Sequence, residues 1–131
     1  MNRLTVLYDG NCGFCVTCRW WLADQPAFIP LEFVPAGSPE ATRRFPDLHE
    51  AGELSVVSDD GQVWTGASAW IMCLFALEDY RELAIRLSTP RLMPVARRLF
   101  EAVSNGRGKI SRWFGLKSED QLFEALHREE A

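Results

Sequence analysis

Cys12 and Cys15 flank Gly13 and Phe14 in a Cys-x-x-Cys arrangement that follows a short apolar run and leads into a helical pattern. That spacing lets two sulfurs meet across the first turn of a helix. The unsatisfied N–H groups and partial positive charge of the helix N-terminus favour a thiolate at the first of them. Thiol–disulfide exchange needs an accessible thiolate to attack and a second thiol to resolve the mixed disulfide. Cys12, nearer the turn, fits the attacking role, and Cys15, one turn deeper, fits the resolving one. Gly13 leaves room for close approach of a substrate, and Phe14 adds an apolar contact.

Asp9, three residues before Cys12, has two roles open to it. Its carboxylate could pass a proton to or from a thiol as a mixed disulfide is resolved. It could equally cap the turn, and an ionised carboxylate close to the thiols would oppose the effect of the helix N-terminus. Trp64, on an expected hairpin, could line a substrate groove near the cysteines.

Cys18 extends the pattern to Cys12-x-x-Cys15-x-x-Cys18 and raises a metal or iron–sulfur alternative. A fourth ligand is missing from that set. Cys73 falls in an apolar helix, and His49 and His127 belong to no nucleophile–base constellation. A continuous helix also spreads the three thiols along a drifting stripe rather than around one ion. No metal is therefore assigned, and the only redox group expected is a Cys12–Cys15 disulfide. Cys18 and Cys73 read as small packing residues, with a Cys15–Cys18 disulfide as a lesser alternative.

The elements that must hold this site follow from the pattern. Leu4 to Tyr8 reads as a buried strand, broken by Asp9-Gly10-Asn11. Phe14 to Ala23 reads as a helix and Leu31 to Val34 as a second strand, making a right-handed parallel βαβ unit. Ser38, as N-cap before Pro39, begins a short helix reaching Phe45. Leu54 to Val57 and Gln62 to Thr65 flank Ser58-Asp59-Asp60-Gly61, a hairpin signal. Ser68 to Leu77 is an almost wholly apolar helix, and Glu82 to Leu87 adds a turn or two. The order β-α-β-α-β-β-α predicts a thioredoxin-like α/β fold: a central mixed four-stranded sheet flanked by helices, with extra C-terminal helices. Trp20, Trp21 and Trp70 are expected at the core or its edge.

Further on, Leu92, Val95, Ala96, Leu99, Phe100 and Val103 repeat at helical spacing from Pro90 onward. Ser104-Asn105-Gly106-Arg107-Gly108 is expected to end or interrupt that helix, and Ile110 to Phe114 to resume it. Ser118 and Gln121 match a capping box ahead of a last short helix.

The 131 residues suit one domain, 1–131, with a core over 1–87 and a helical extension over 88–131. An apolar fraction of 47%, a charged fraction of 24% and a mean hydropathy of −0.11 are those of an ordinary globular protein. Net charge is −4, unevenly spread. Four Arg stand against eleven acids up to Tyr80, nine Lys/Arg against two acids from Arg81 to Lys117, and one Arg against five acids from Ser118 onward. No run is dense enough for a nucleic-acid patch. The basic segment reads first as a solvated surface; as a second function class it suggests a non-catalytic binding or adaptor module that docks a protein or, less expectedly, a membrane. Nothing at the N-terminus resembles a secretory signal. Three cysteines crowded into seven residues suit a reactive site in a reducing cytoplasm better than a disulfide framework.

Asp9-Gly10-Asn11-Cys12-Gly13-Phe14-Cys15 resembles the D-G-x-C-x-x-C motif of the DCC family of thiol-disulfide oxidoreductases, named for its Asp and two Cys. Asp60-Gly61, the stretch Thr65-Gly66-Ala67-Ser68-Ala69 and the segment from Asn105 to Gly115 are also similar, so the resemblance covers roughly Leu4 to Leu116. It implies a thioredoxin-like fold and disulfide exchange, with Asp9, Cys12 and Cys15 as the functional positions. The partners then expected are a protein or small-molecule disulfide and a separate thiol reductant. Two departures from thioredoxin itself stand out. Phe14 replaces the proline of its Trp-Cys-Gly-Pro-Cys motif, and Ala51-Gly52-Glu53 precedes the third strand where thioredoxin has a cis-proline.

Overall fold

The computed structural model of the chain describes residues 2–46 and 54–113. β1 (Leu4–Tyr8) is buried along its whole length, as a central strand of apolar and β-branched residues must be. It pairs in parallel with β2 (Leu31–Pro35), Leu4 opposite Leu31, and antiparallel with β3 (Ser55–Ser58), Val6 opposite Val56. β4 (Val63–Thr65) closes the hairpin with β3, giving the order β2-β1-β3-β4. The Ser58–Gly61 turn forms as its residue types require, with Gly61 at φ +90° and the Ser58 N–H donating to the Gln62 carbonyl at 2.9 Å.

Alternation along the strands divides the core in two. Leu4, Val6 and Val56 face α1 (Gly13–Ala23) and α3 (Ala67–Ala76), where they pack with Leu22, Ala69, Cys73 and Ala76. Leu7, Val34 and Val57 face the other way onto Ala41 of α2 (Pro39–Arg44). Full burial of each large aliphatic is worth about 1.5–3 kcal/mol, so the three-strand centre around β1 dominates the stability of the fold. α2 starts as its sequence dictates: Pro39 occupies the first turn and the Ser38 hydroxyl accepts from the Ala41 N–H at 3.2 Å. On this face Arg44 donates to Glu32 at 2.6 Å. This is a thioredoxin-like α/β fold, a mixed four-stranded sheet flanked by helices.

α4 (Arg81–Leu87) packs on α3, and α5 (Met93–Trp113) lies against α1 and α3. Two expectations change here. The Ser104–Gly108 stretch neither ends nor interrupts the helix; α5 runs through it to Trp113. Each glycine costs about 1 kcal/mol against alanine in a helix, but tertiary packing routinely overrides propensity of that size, and α5 packs on two other helices. Trp20 and Trp21, expected at the core or its edge, are exposed. Trp20 lies under the Arg19 guanidinium at 4.2 Å, and Trp21 meets Tyr80 edge-on at 5.1 Å. Trp70 does pack against the core. The expected helix after Ser118, both histidines and Ala51-Gly52-Glu53 lie outside the described residues. Among the described residues no helix is long and apolar enough to cross a membrane.

Candidate active site

β1 delivers the chain from the middle of the sheet to a turn at Asp9-Gly10-Asn11, and α1 departs from that turn. Asp9 ties it from both ends. Its Oδ1 accepts the Asn11 N–H at 2.9 Å, and its carbonyl accepts the Cys12 N–H at 3.2 Å. This is the local bonding that short acidic and amide residues offer where a strand stops. Cys12 then has extended backbone, φ −106° and ψ 116°, and stands as the N-cap of α1.

In most helices a hydroxyl or carboxylate fills that position. Here it is the sulfur: Cys12 Sγ accepts the Cys15 N–H at 3.3 Å. A sulfur that receives an N–H at the positive end of a helix sits where negative charge is favoured. No acidic side chain occupies the first turn of α1 to oppose it. The same bond brings the second cysteine of the motif to the first. Gly13 is buried in the first turn, and Thr17 returns its hydroxyl to the Gly13 carbonyl at 2.9 Å.

Behind the pair lies a cavity of about 40 Å³, lined by Asp9, Phe14, Cys15 and Cys18 on one side. Leu54, just ahead of β3, Trp70 of α3 and Phe100 and Val103 of α5 close the other. Asp9, Phe14 and Cys15, predicted from sequence to act with Cys12, are thus gathered around one space. Trp64 is not with them. It lies on β4, two strands from β1, and packs on the main core cluster.

The remaining cysteines are held as thiols. Burial, reinforced by the charge of Cys12, pushes the Cys18 thiol up to about 11. Burial alone pushes Cys73 up to about 12. None of the four cysteines is in a disulfide. Among the described residues no group of three or more His, Cys, Asp or Glu side chains is placed to hold a metal ion.

The sequence reading did not anticipate Arg19 or α5 at this site. The Arg19 guanidinium stacks over Trp20 at 4.2 Å and Phe33 at 5.0 Å beside the cavity, with its Nε buried and without a hydrogen-bond partner among the described residues. Phe100 and Val103 reach the cavity across some eighty residues of chain. Their helical periodicity was visible in the sequence, while the surface they dock on was not.

A family model for DCC1-like thiol-disulfide oxidoreductases matches residues 6–113. The chain belongs to this family. The DCC1-like match takes in the Asp9–Cys15 turn and runs to the last residue of α5, so both walls of the cavity fall inside it. No curated protein and no solved structure matches the chain.

Proposed function

We infer that this DCC1-like protein exchanges disulfides through Cys12 and Cys15. The observation that carries the reading is the Cys12 sulfur acting as N-cap of α1, bonded to the N–H of the residue proposed to resolve the adduct. The Cys12 thiolate attacks one sulfur of a substrate disulfide, forming a mixed disulfide and expelling the other substrate sulfur, which takes up a proton. Cys15, deprotonated in turn, attacks Cys12 Sγ. The substrate leaves fully reduced, and a Cys12–Cys15 disulfide holds the oxidised state. Two electrons pass to the substrate, and an external thiol reductant restores the pair.

Asp9 orders the turn through its bond to Asn11 and lines the same cavity as Cys15, which supports a part for its carboxylate in moving the Cys15 proton. Only 9% of Cys12 is exposed, which favours a slim disulfide, either a small molecule or an extended peptide segment. No cofactor beyond the cysteine pair enters this reading, and a reducing cytoplasm is the compartment it suits.

The decisive test is the Cys15→Ser variant, which keeps the attacker and lacks the resolver. Purified from cells and separated without reductant, it is expected to carry covalent adducts that reductant removes and that the Cys12→Ser/Cys15→Ser double variant lacks. Identical adduct patterns in the two variants, or none in either, would remove the mechanism.

A further inference from the structure

The six apolar residues that repeat along the start of α5 do not share one face in the fold. Ala96, Phe100 and Val103 turn inward, half-buried, and the last two reach the cavity behind Cys15. Leu92, Val95 and Leu99 turn outward. Spaced three and four residues apart, they form a stripe along the exposed flank, 38%, 60% and 66% exposed. The turn ahead of α5 is already helical in its bonding: the Met93 N–H reaches Thr89 and the Ala96 N–H reaches Leu92, each at 2.9 Å. Leu92 therefore belongs to the same stripe.

Cations run beside it. Arg91, Arg98 and Lys109, seven and eleven residues apart, fall on one side of the helix next to the aliphatic row, and all three are exposed. Glu101, the only acid in α5, faces away, into a cleft it shares with Thr65 and Gly66. The helix thus has two apolar faces. One is used in packing the domain, and the other is open to solvent with positive charge along its edge.

We propose that this flank of α5 docks the protein on an anionic phospholipid surface. Leu92, Val95 and Leu99 would enter the boundary between headgroups and acyl chains while Arg91, Arg98 and Lys109 meet lipid phosphates. The stripe stands on the convex side of a single helix and consists of aliphatic residues. A protein partner would need a groove shaped to receive it, whereas a bilayer accepts such side chains without one. Long arginine stems can lie along the aliphatic row and still deliver their charge at headgroup level. The cationic edge selects anionic lipid over neutral lipid, each charge near the surface contributing about a fivefold gain in binding. The docking does not depend on the disulfide-exchange reading.

Co-sedimentation of the full chain with vesicles tests this. Binding is expected to vesicles of phosphatidylcholine mixed with phosphatidylglycerol, to be absent with phosphatidylcholine alone, and to weaken with salt. Val95→Asp with Leu99→Asp, and separately Arg91→Glu with Arg98→Glu, should each reduce it by about tenfold or more. Arg43→Glu, a charge reversal on α2 at the opposite face of the sheet, should leave it unchanged, as should Cys12→Ser with Cys15→Ser. That last variant separates loss of docking from loss of redox chemistry. The proposal is overturned by equal binding to both vesicle types, by equal weakening in Arg43→Glu, or by no binding at all. It also fails if sedimentation shows a dimer that Val95→Asp with Leu99→Asp dissolves and that ignores vesicles, since the stripe then belongs to a second copy. Vesicle binding that appears only after Glu119→Gln, Asp120→Asn and Glu124→Gln would assign the stripe to the chain's own acidic C-terminal segment.

Discussion

Helices α1 and α3 lie on the same face of the sheet, and each holds a cysteine with little or no exposure, yet the two sulfurs meet different surroundings. Cys12 is at the end of its helix, where backbone N–H groups lack partners, and its sulfur takes one of them. Cys73 is in the interior of α3, whose N–H groups are engaged along the helix, and it packs among Leu4, Val56 and Ala76. Burial makes Cys73 a small apolar residue and holds its proton to about pH 12. Exposure does not distinguish the two sulfurs, since 9% and 0% differ little. The polar group facing the sulfur does.

The comparison is most exposed to failure when the same substitution is made on both sides. Cys12→Ser should cut disulfide exchange by on the order of a thousandfold or more, because an attacking thiolate is replaced by a weakly acidic hydroxyl. It should leave unfolding free energy within about 0.5 kcal/mol, since serine is itself a preferred N-cap. Cys73→Ser should do the reverse: exchange activity is retained, and stability falls by about 1–3 kcal/mol as a hydroxyl enters a dry core. Urea titrations and a disulfide-reduction assay on the two purified variants read both quantities. A Cys73→Ser protein that is inactive yet fully stable, or a Cys12→Ser protein that is active, would dissolve the contrast.

Alkaline pH sharpens it further. Cys18 and Cys73 titrate in the folded protein at about 11 and about 12, above the ordinary 9.0. The folded state therefore keeps protons that the unfolded chain has released. The resulting stability is fully present below pH 9.0 and is lost as pH rises through those folded values. The urea midpoint should thus begin to drop above about pH 9, and Cys18→Ala should flatten part of the fall. At neutral pH, mass spectrometry after brief alkylation should find label on Cys12 and Cys15 and little on Cys18 or Cys73.

The smallest expected effect lies on the other face of the sheet, away from both cysteines. A hydrogen bond from Arg44 holds the Glu32 carboxyl below its ordinary 4.5. Its contribution is present above that value and lost as pH falls through the lowered one. Arg44→Ala should cost less than about 1 kcal/mol at neutral pH, the pair being partly exposed and screened, and nothing in strong acid. Exchange activity should not change.

The motif around Cys12, the parallel pair, the Ser38–Pro39 helix start and the Asp-Gly hairpin were all legible in the residues. Apart from the parallel pair, which follows from the strand-helix-strand order, each depends on neighbours within a few positions: a turn residue's own dihedrals, or a side chain reaching a backbone amide two or three residues on. Asp9, Cys12 and Cys15 are brought together for the same reason, all lying within seven residues.

What the sequence could not decide was which of several apolar faces goes inward. Trp20 and Trp21 are as hydrophobic as Trp70, and only the packing of α1 against its neighbours leaves the first two exposed. The row on α5 carries six apolar residues compatible with either side, and a helix can dock only one. Phe100 and Val103 reach the cavity behind the cysteines; Leu92, Val95 and Leu99 are left in water. That choice depends on surfaces contributed by α1 and α3, far away in the chain. Local bonding therefore determined the place of the Cys12 sulfur at the start of α1, whereas the cavity wall and the open flank of α5 followed from long-range packing.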